Sequence, residues 1–469
     1  MKYLVTCFLL CLVLFSVFSC EPEADVVIRQ PKINLSFSAD TVLFDTVFVR
    51  TGSVTKRLLV YNFNKNAVEI DEIKLGKLDA SAYRIIINGL ETPQAQKVRI
   101  RGGDSLYVLV KVFIEPNNNN SPFLVNDSVT FTLNQAVQQV KLVAYGQNAY
   151  FHRKVTLTGN NNWPADKPHV IYDHVTVEEG STLIIEKGAR IYANRGAYMY
   201  VDGTLRIEGT DKERVAFAGH RLEPFYNDIP GLWGGIKFRA PSKNNIIQYA
   251  DIKNAEVGIW AENPDQDPAT YDIRLEQCTL RNMSRAGILS YSADVQALNT
   301  LIANCGEYAV AGFGGGNYDF TYCALANFTD FRRENPSFFF TDRFKSTTGQ
   351  NTDYRIKLNV INSIIWAGKR NGFLREEMGF LNEAGLPLDT VFRHNILQTQ
   401  AYQQSLNKTN LFNQDPQFVR TVNPFDFSLD TLSVANGAAQ PLPAVKNDLK
   451  NVLRDAEKPD IGAYERIRP

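Results

Sequence analysis

"NNIIQYADIKNAEVGIW", residues Asn244–Trp260, decides the fold. Its apolar residues are too few in a row for a membrane span, and their spacing is wrong for an amphipathic helix. The stretch recurs. "YADIKN" (249–254) aligns with "QCTLRN" (277–282), "NTLIAN" (299–304), "YCALAN" (322–327), "NSIIWA" (362–367) and "HNILQT" (394–399). One column is small or compact: Ala250, Cys278, Thr300, Cys323, Ser363, Asn395. Two residues later every copy is aliphatic: Ile252, Leu280, Ile302, Leu325, Ile365, Leu397. A third column reads Asn254, Asn282, Asn304, Asn327 and then Ala367 and Thr399. The small column advances by 28, 22, 23, 40 and 32 residues.

Constant columns at a period near 22 indicate a β-solenoid, in which no coil buries its own apolar face and stacking builds the core. The aliphatic column is then an internal ladder with rungs about 4.8 Å apart. Asparagine tolerates the left-handed backbone of a tight corner, so Asn254, Asn282, Asn304 and Asn327 are expected at corners, each amide bonding the copy on the next rung. Cys278 and Cys323 share a column two rungs apart, roughly 9–10 Å, too far for a disulfide.

Outside these columns, "HVIYDHVTVEEGSTLIIEKGARIYANRGAYMYVDGTLRIEGTDKERVAFAG" (169–219) sets Gly180, Gly188, Gly203 and Gly209 between very short β runs. Together with "WGGIKF" (233–238) it resembles the first coils of right-handed parallel β-helix proteins. "PDIGAYE" (459–465) resembles the closing coil of bacterial surface β-helix proteins, matching at Asp460, Gly462 and Glu465. The resemblance spans about residues 165–466 and implies fold more than activity, because this solenoid hosts lyases, hydrolases, adhesins and scaffolds alike.

Residues 31–148 alternate apolar and polar residues in short runs broken by Gly, Asn and Asp, which predicts a β-sandwich. Asp104–Pro116 with the closing "AYGQ" (144–147) resembles immunoglobulin-like domains of the ASH type, spacers or adhesion modules in bacterial surface proteins. Ahead of it, Lys2 and the apolar run Leu4–Phe18 form a signal peptide, residues 1–19. Val17-Phe18-Ser19-Cys20 resembles a bacterial lipobox, which implies lipidation at Cys20. The acidic Glu21, Glu23 and Asp25 that follow resemble the start of surface-exported lipoproteins of Bacteroidetes. The expected order is signal 1–19, tether 20–30, immunoglobulin-like sandwich 31–148 and β-helix 149–469, with insertions near 329–354 and 368–390. The expected location is the outer membrane, facing the periplasm or the cell surface.

Lysine plus arginine equals 50, and aspartate plus glutamate equals 50, so no overall field favours nucleic acid. Beyond the signal and Cys20, the cysteines are Cys278, Cys305 and Cys323, an odd number with no CxxC spacing. The five histidines form no HExxH, and no P-loop or GxSxG motif is present. His169 and His174 are five apart, and Asp265 with Asp267 lacks the glycine and glutamate of a calcium loop. No cofactor and no metal are therefore expected.

On the outer side of the ladder the residues are Asp251 and Lys253, Thr279 and Arg281, then Leu301 and Ala303, Ala324 and Ala326, Ile364 and Trp366, Ile396 and Gln398. Charge on two rungs gives way to an apolar stripe, which a catalytic cleft would not carry and which needs cover. The Phe-rich insertion 329–354 is the expected cover, through Phe338, Phe339 and Phe340. A short amphipathic helix is expected through Phe373, Leu374, Met378, Phe380 and Leu381. Candidate ligand-binding residues are Trp260 and Tyr271, as a sugar-stacking platform, with Asp251, Lys253 and Arg281. Glu376, Glu377 and Asp389 are the insertion carboxylates an enzyme would draw on. The composite reading is an envelope lipoprotein that binds or scaffolds, with a polysaccharide or another envelope protein as partner and the membrane reached through Cys20. The alternative is a polysaccharide lyase or glycoside hydrolase on the β-helix.

Overall fold

Alternation with a period of two dominates the described residues of the computed structural model, and no α-helix occurs among them. These residues are 26–27, 34–262, 270–329, 333–346 and 349–466. Cys20, the acidic residues after it and the Asp265–Asp267 turn lie outside them. The chain divides into two units, Met1–Asn148 and Ala149–Pro469.

The first unit is a β-sandwich of two five-stranded sheets. In one, Lys56–Tyr61, Ser105–Val112 and Tyr83–Ile87 pair antiparallel. In the other, Ala136–Gln147 lies between Phe123–Leu133, antiparallel, and Thr41–Phe48, parallel. Every second residue points inward: Val108, Val110 and Val112 from the first sheet meet Val129, Phe131 and Leu133 from the second, all essentially buried. Phe44 and Tyr83 bridge the sheets with ring centroids 5.9 Å apart.

The second unit is a parallel β-helix whose strands fall on three faces, in one 18-stranded and one nine-stranded sheet. Ala250–Lys253, Thr279–Met283, Leu301–Cys305, Ala324–Ala326, Ile364–Trp366 and Ile396–Leu397 are successive rungs of the first face. Val257–Glu262, Ala286–Tyr291, Tyr308–Phe313, Phe338–Thr341 and Met378–Leu381 belong to the second. Asn245–Gln248, Ile273–Glu276, Val295–Leu298, Gly316–Thr321, Ile356–Ile361 and Leu388–Arg393 belong to the third. On the first face Ile252, Leu280, Ile302, Leu325, Ile365 and Leu397 pair rung to rung in one unbroken line. All six are fully buried.

The corner between third and first face turns on one left-handed residue in every coil: Tyr249, Gln277, Asn299, Tyr322, Asn362 and His394, with φ from 47° to 55°. The small column follows it and points inward. Its side chains reach back to the preceding coil: Cys278 Sγ to the Ile247 carbonyl at 3.3 Å, Ser363 Oγ to Phe320 at 3.1 Å, and Asn395 Nδ2 to Val360 at 2.8 Å. A small residue is needed there because a corner leaves no room for more, and a donor is favoured because a buried carbonyl otherwise lacks a second partner. Cys278, Cys305 and Cys323 are free and buried, and burial pushes each thiol up to about 12.

At the opposite corner Asn254, Asn282 and Asn304 adopt φ of 64°, 58° and 56°. Asn327 does not, and instead accepts the Cys305 N–H at 2.6 Å. The expected amide-to-amide ladder does not form. A loop lying over this corner takes the amides first: Asn254 Nδ2 donates to the Asn227 and Ile229 carbonyls, and Asn282 Nδ2 to Asp228 Oδ1.

Two expectations about the insertions are corrected. Phe338–Thr341 is a rung of the second face, paired with Val310–Phe313, so Phe338 and Phe340 point into the core and do not cover the stripe. Met378–Leu381 is the next rung, with Phe338 opposite Met378 and Phe340 opposite Phe380. The alternation of Met378 and Phe380 therefore serves a strand, and Lys369–Arg370 and Phe373–Leu374 form a small hairpin instead of a helix.

The stripe is covered by the C-terminal segment. Leu301, Ala303, Ala324, Ala326, Ile364, Trp366 and Ile396 are buried with Phe418, Phe427, Leu429, Ala435, Leu449, Ile461 and Ala463 in one cluster. Corner residues pin the segment: Asn362 exchanges two 2.8 Å bonds with the Gln440 backbone, and Asn299 Nδ2 donates to the Asn447 carbonyl at 2.8 Å. Gly462, at φ 103°, sits so close that a Cβ there would lie 2.7 Å from Ile364 Cδ1. Within the segment Arg454 is buried, stacked 3.8 Å above the Tyr322 ring, and bonded to Asn299 Oδ1 and the Gly462 carbonyl. Asp460 and Glu465 of "PDIGAYE" accept backbone N–H groups from Gly437, Arg466, Asp455 and Asp460, which explains why acids stand there.

Candidate functional site

At the charged end of the first face a groove of about 370 Å³ lies between three solenoid rungs and the C-terminal segment. Strand alternation aims Asp251, Thr279 and Arg281 outward, and Asn282, Leu301 and Asn304 complete the floor. The opposite wall is Arg420, Phe425, Asp426, Phe427, Lys450 and Tyr464.

Both carboxylates in the groove are engaged. Asp251 receives Arg214 Nε and Nη2 at 2.9 Å each and the Thr279 hydroxyl at 2.6 Å. Burial pushes the Asp426 carboxyl up, but bonds from Ser428 and the nearby Lys450 and Arg420 outweigh it and hold the group below its ordinary value. Lys450 Nζ donates to Ser428 Oγ at 3.0 Å and lies 5.1 Å from the Tyr464 ring centre. Among the described residues no carboxylate comes within ion-pairing distance of Arg281 or Arg420, both exposed. The Oδ1 of Asn304 has no hydrogen-bond partner.

The five ligand-binding candidates are not brought together. Asp251 and Arg281 line the groove. Lys253 is the rung partner of Arg281 and donates from Nζ to the Asn227 carbonyl at 3.2 Å; burial first, then Arg281, lowers its pKa. Trp260 is on the second face. Lys237 lies over its ring at 4.1 Å and Arg285 at 5.7 Å, Tyr291 is 6.2 Å away, and Nε1 donates to Glu262 at 2.8 Å. Tyr271 precedes the third-face strand Ile273–Glu276, with Arg274 over it at 5.8 Å. Trp260 and Tyr271 thus stand on different elements, and the Trp260 ring is shared with its neighbours on adjacent rungs.

The insertion carboxylates are structural too. Glu377 is buried and takes Arg333 at 2.8 and 2.9 Å and the Ser337 N–H at 3.1 Å. Glu376 accepts the N–H groups of Met378, Gln400 and Ala401. Asp389 pairs with Arg355 at 3.3 Å. His169 has His152 as its partner, 3.0 Å between Nε2 of His152 and Nδ1 of His169, while His174 sits beside Asp173. Burial, then His169, pulls His152 down to about 4, so the pair is neutral at neutral pH.

Sequence reasoning did not find Arg420, Phe425, Lys450 or Tyr464. Arg420 and Phe425 belong to or border the short hairpin of Phe418–Arg420 with Asp426–Leu429, and only the "PDIGAYE" ending around Tyr464 gave a signal.

The family model described as right-handed β-helix region matches residues 142–325, and the fold is a right-handed parallel β-helix. No curated protein matches the chain. Among solved structures, a family 123 glycoside hydrolase from Clostridium perfringens is 9% identical, covering 28% of this chain and 30% of its own, with a TM-score of 0.18. A protein of unknown function from Porphyromonas gingivalis W83 is 12% identical, covering 27% of this chain and 60% of its own, also with a TM-score of 0.18. The chain thus spans under two thirds of either.

Proposed function

We propose that the chain is a cell-envelope lipoprotein whose β-helix binds a glycan or another envelope protein and does not catalyse. The observation that carries this reading is the state of the groove's carboxylates. A glycoside hydrolase needs one carboxylic acid held protonated and a second carboxylate free to act beside it. Asp251 is clamped by Arg214 and Thr279, and Asp426 is held below its ordinary value. Both oxygens of Asp251 are taken, and Asp426 is ionised at neutral pH. A polysaccharide lyase needs a base, and neither a histidine nor an unengaged carboxylate lines the groove. An apolar stripe sealed by the chain's own C-terminal segment belongs with a rigid platform.

The test is a glycan array with the purified protein, followed by reducing-end and unsaturated-product assays on every glycan it retains. Retention without turnover is expected. Turnover of a retained glycan, abolished by Asp251→Asn, would establish the enzyme reading in its place.

Anchoring is tested separately. Several acyl chains on Cys20 hold a protein stably, since each buried CH₂ adds about 0.8 kcal/mol. Cys20→Ser is therefore expected to move the protein from the membrane to the soluble fraction and to end labelling by palmitate. Continued membrane retention with label still incorporated rules lipidation at Cys20 out.

A further inference from the structure

We propose that the groove on the first face binds an acidic sugar, taking its carboxylate or sulfate ester between Arg281, Arg420 and Lys450. The inference rests on the binding reading above and adds the chemistry of the ligand.

Three cations reach the groove from separate segments, Arg281 from a solenoid rung and Arg420 and Lys450 from the cover. Of the acids beside them, Asp251 is neutralised by Arg214, while Asp426 keeps its charge and offsets part of Arg420 and Lys450. The free charge in the groove is positive, although the chain carries 50 basic and 50 acidic residues. A guanidinium presents a planar fork of donors matched to an oxyanion, so two of them define an acid subsite.

Two features ask for more than an anion. Asn304 lines the groove, and its amide oxygen is buried and has no partner. A sugar hydroxyl both donates and accepts, so it matches an amide group in the lining of the groove. Phe425 and Tyr464 are half-buried in the opposite wall and offer an apolar surface to a ring. An inorganic ion uses neither feature. The volume of about 370 Å³ lies within the range of small-molecule sites.

The experiment is titration calorimetry on the full chain at low salt, with digalacturonate, its neutral methyl ester, galactose 6-sulfate and inorganic sulfate. An acidic sugar is expected to bind at least tenfold more tightly than the ester, and to lose at least tenfold in Arg281→Gln and Arg420→Gln. The two acidic sugars together show which acid is preferred. Lys65→Gln, an exposed change on the sandwich, is expected to bind as the parent does. Equal binding of acid and ester, no effect of either arginine change, or no binding of either acidic sugar overturns the proposal. Inorganic sulfate binding as tightly as the sugars overturns its sugar part. The two readings fail separately. Array binding that survives Arg281→Gln unchanged keeps the binding module and removes this groove from it, whereas turnover of a retained glycan overturns the non-catalytic reading and leaves the acid preference standing.

Discussion

Ile302→Asp is expected to lower the melting temperature of the β-helix by roughly 10 °C or more, whereas Asp251→Ala shifts it little. Ile302 is fully buried at mid-ladder, with Leu280 on the rung before it and Leu325 on the rung after. A carboxylate placed there has no cation beside it, and stranding a buried charge costs on the order of 3–5 kcal/mol. Coils contact only their neighbours, so the damage is concentrated at the two interfaces that join the halves of the solenoid. Asp251, two rungs away, points outward. Its pair with Arg214 is partly exposed, with side chains 22% and 36% accessible, and pairs of that kind contribute about 1 kcal/mol or less. Thermal unfolding followed by circular dichroism separates the two variants. Coincident melting curves would mean that Ile302 does not face the core.

The same residue shows why the ladder was legible in the sequence. An inward position in a solenoid faces the same neighbours in every coil, so Ile252, Leu280, Ile302 and Leu325 repeat one chemical type. The small column repeats because every coil makes the same tight corner after a left-handed residue. Amphipathic spacing misled where two periods overlap: Met378 and Phe380, two apart, form a strand, yet Phe373, Leu374, Met378 and Leu381 also fit a helix. Phe338, Phe339 and Phe340 show no alternation at all, and only pairing with Val310, Ala311 and Gly312 reveals which of them point inward. The site was half legible. Asp251 and Arg281 stand out as charges on a column that later turns apolar. Arg420 and Lys450 reach them only because the chain doubles back, and nothing local in the sequence encodes that return. The surroundings of Trp260 were hidden for a related reason. Lys237, which covers its ring, lies 23 residues earlier but on the adjacent rung.

Ending the chain at Asp415 is expected to leave a folded solenoid that associates and binds ANS strongly. The coils through Leu411–Phe412 keep their rung-to-rung pairing, and in a solenoid each coil depends on its neighbours more than on remote segments. What is lost is the cover over Leu301, Ile364, Trp366 and Ile396, each at most 4% exposed in the intact chain. Returning a side chain of that size to water costs roughly 1.5–3 kcal/mol, so four of them outweigh the ordering entropy that kept single copies apart. The truncated chain also lacks Arg420, Lys450 and Tyr464, so acidic-sugar binding in the groove disappears with the cover. Light scattering and ANS fluorescence read the first effect and calorimetry the second. A monomeric truncated chain with no added ANS signal would mean that the stripe does not behave as an apolar interface. A truncated chain that does not fold would mean that the segment is part of the solenoid core. Gly462→Val in the full chain then decides the matter, because its Cβ would stand 2.7 Å from Ile364 Cδ1. If the segment is a cover, that change lifts it locally, raising ANS binding while the coils keep their circular dichroism. If it is core, circular dichroism falls as ANS binding rises.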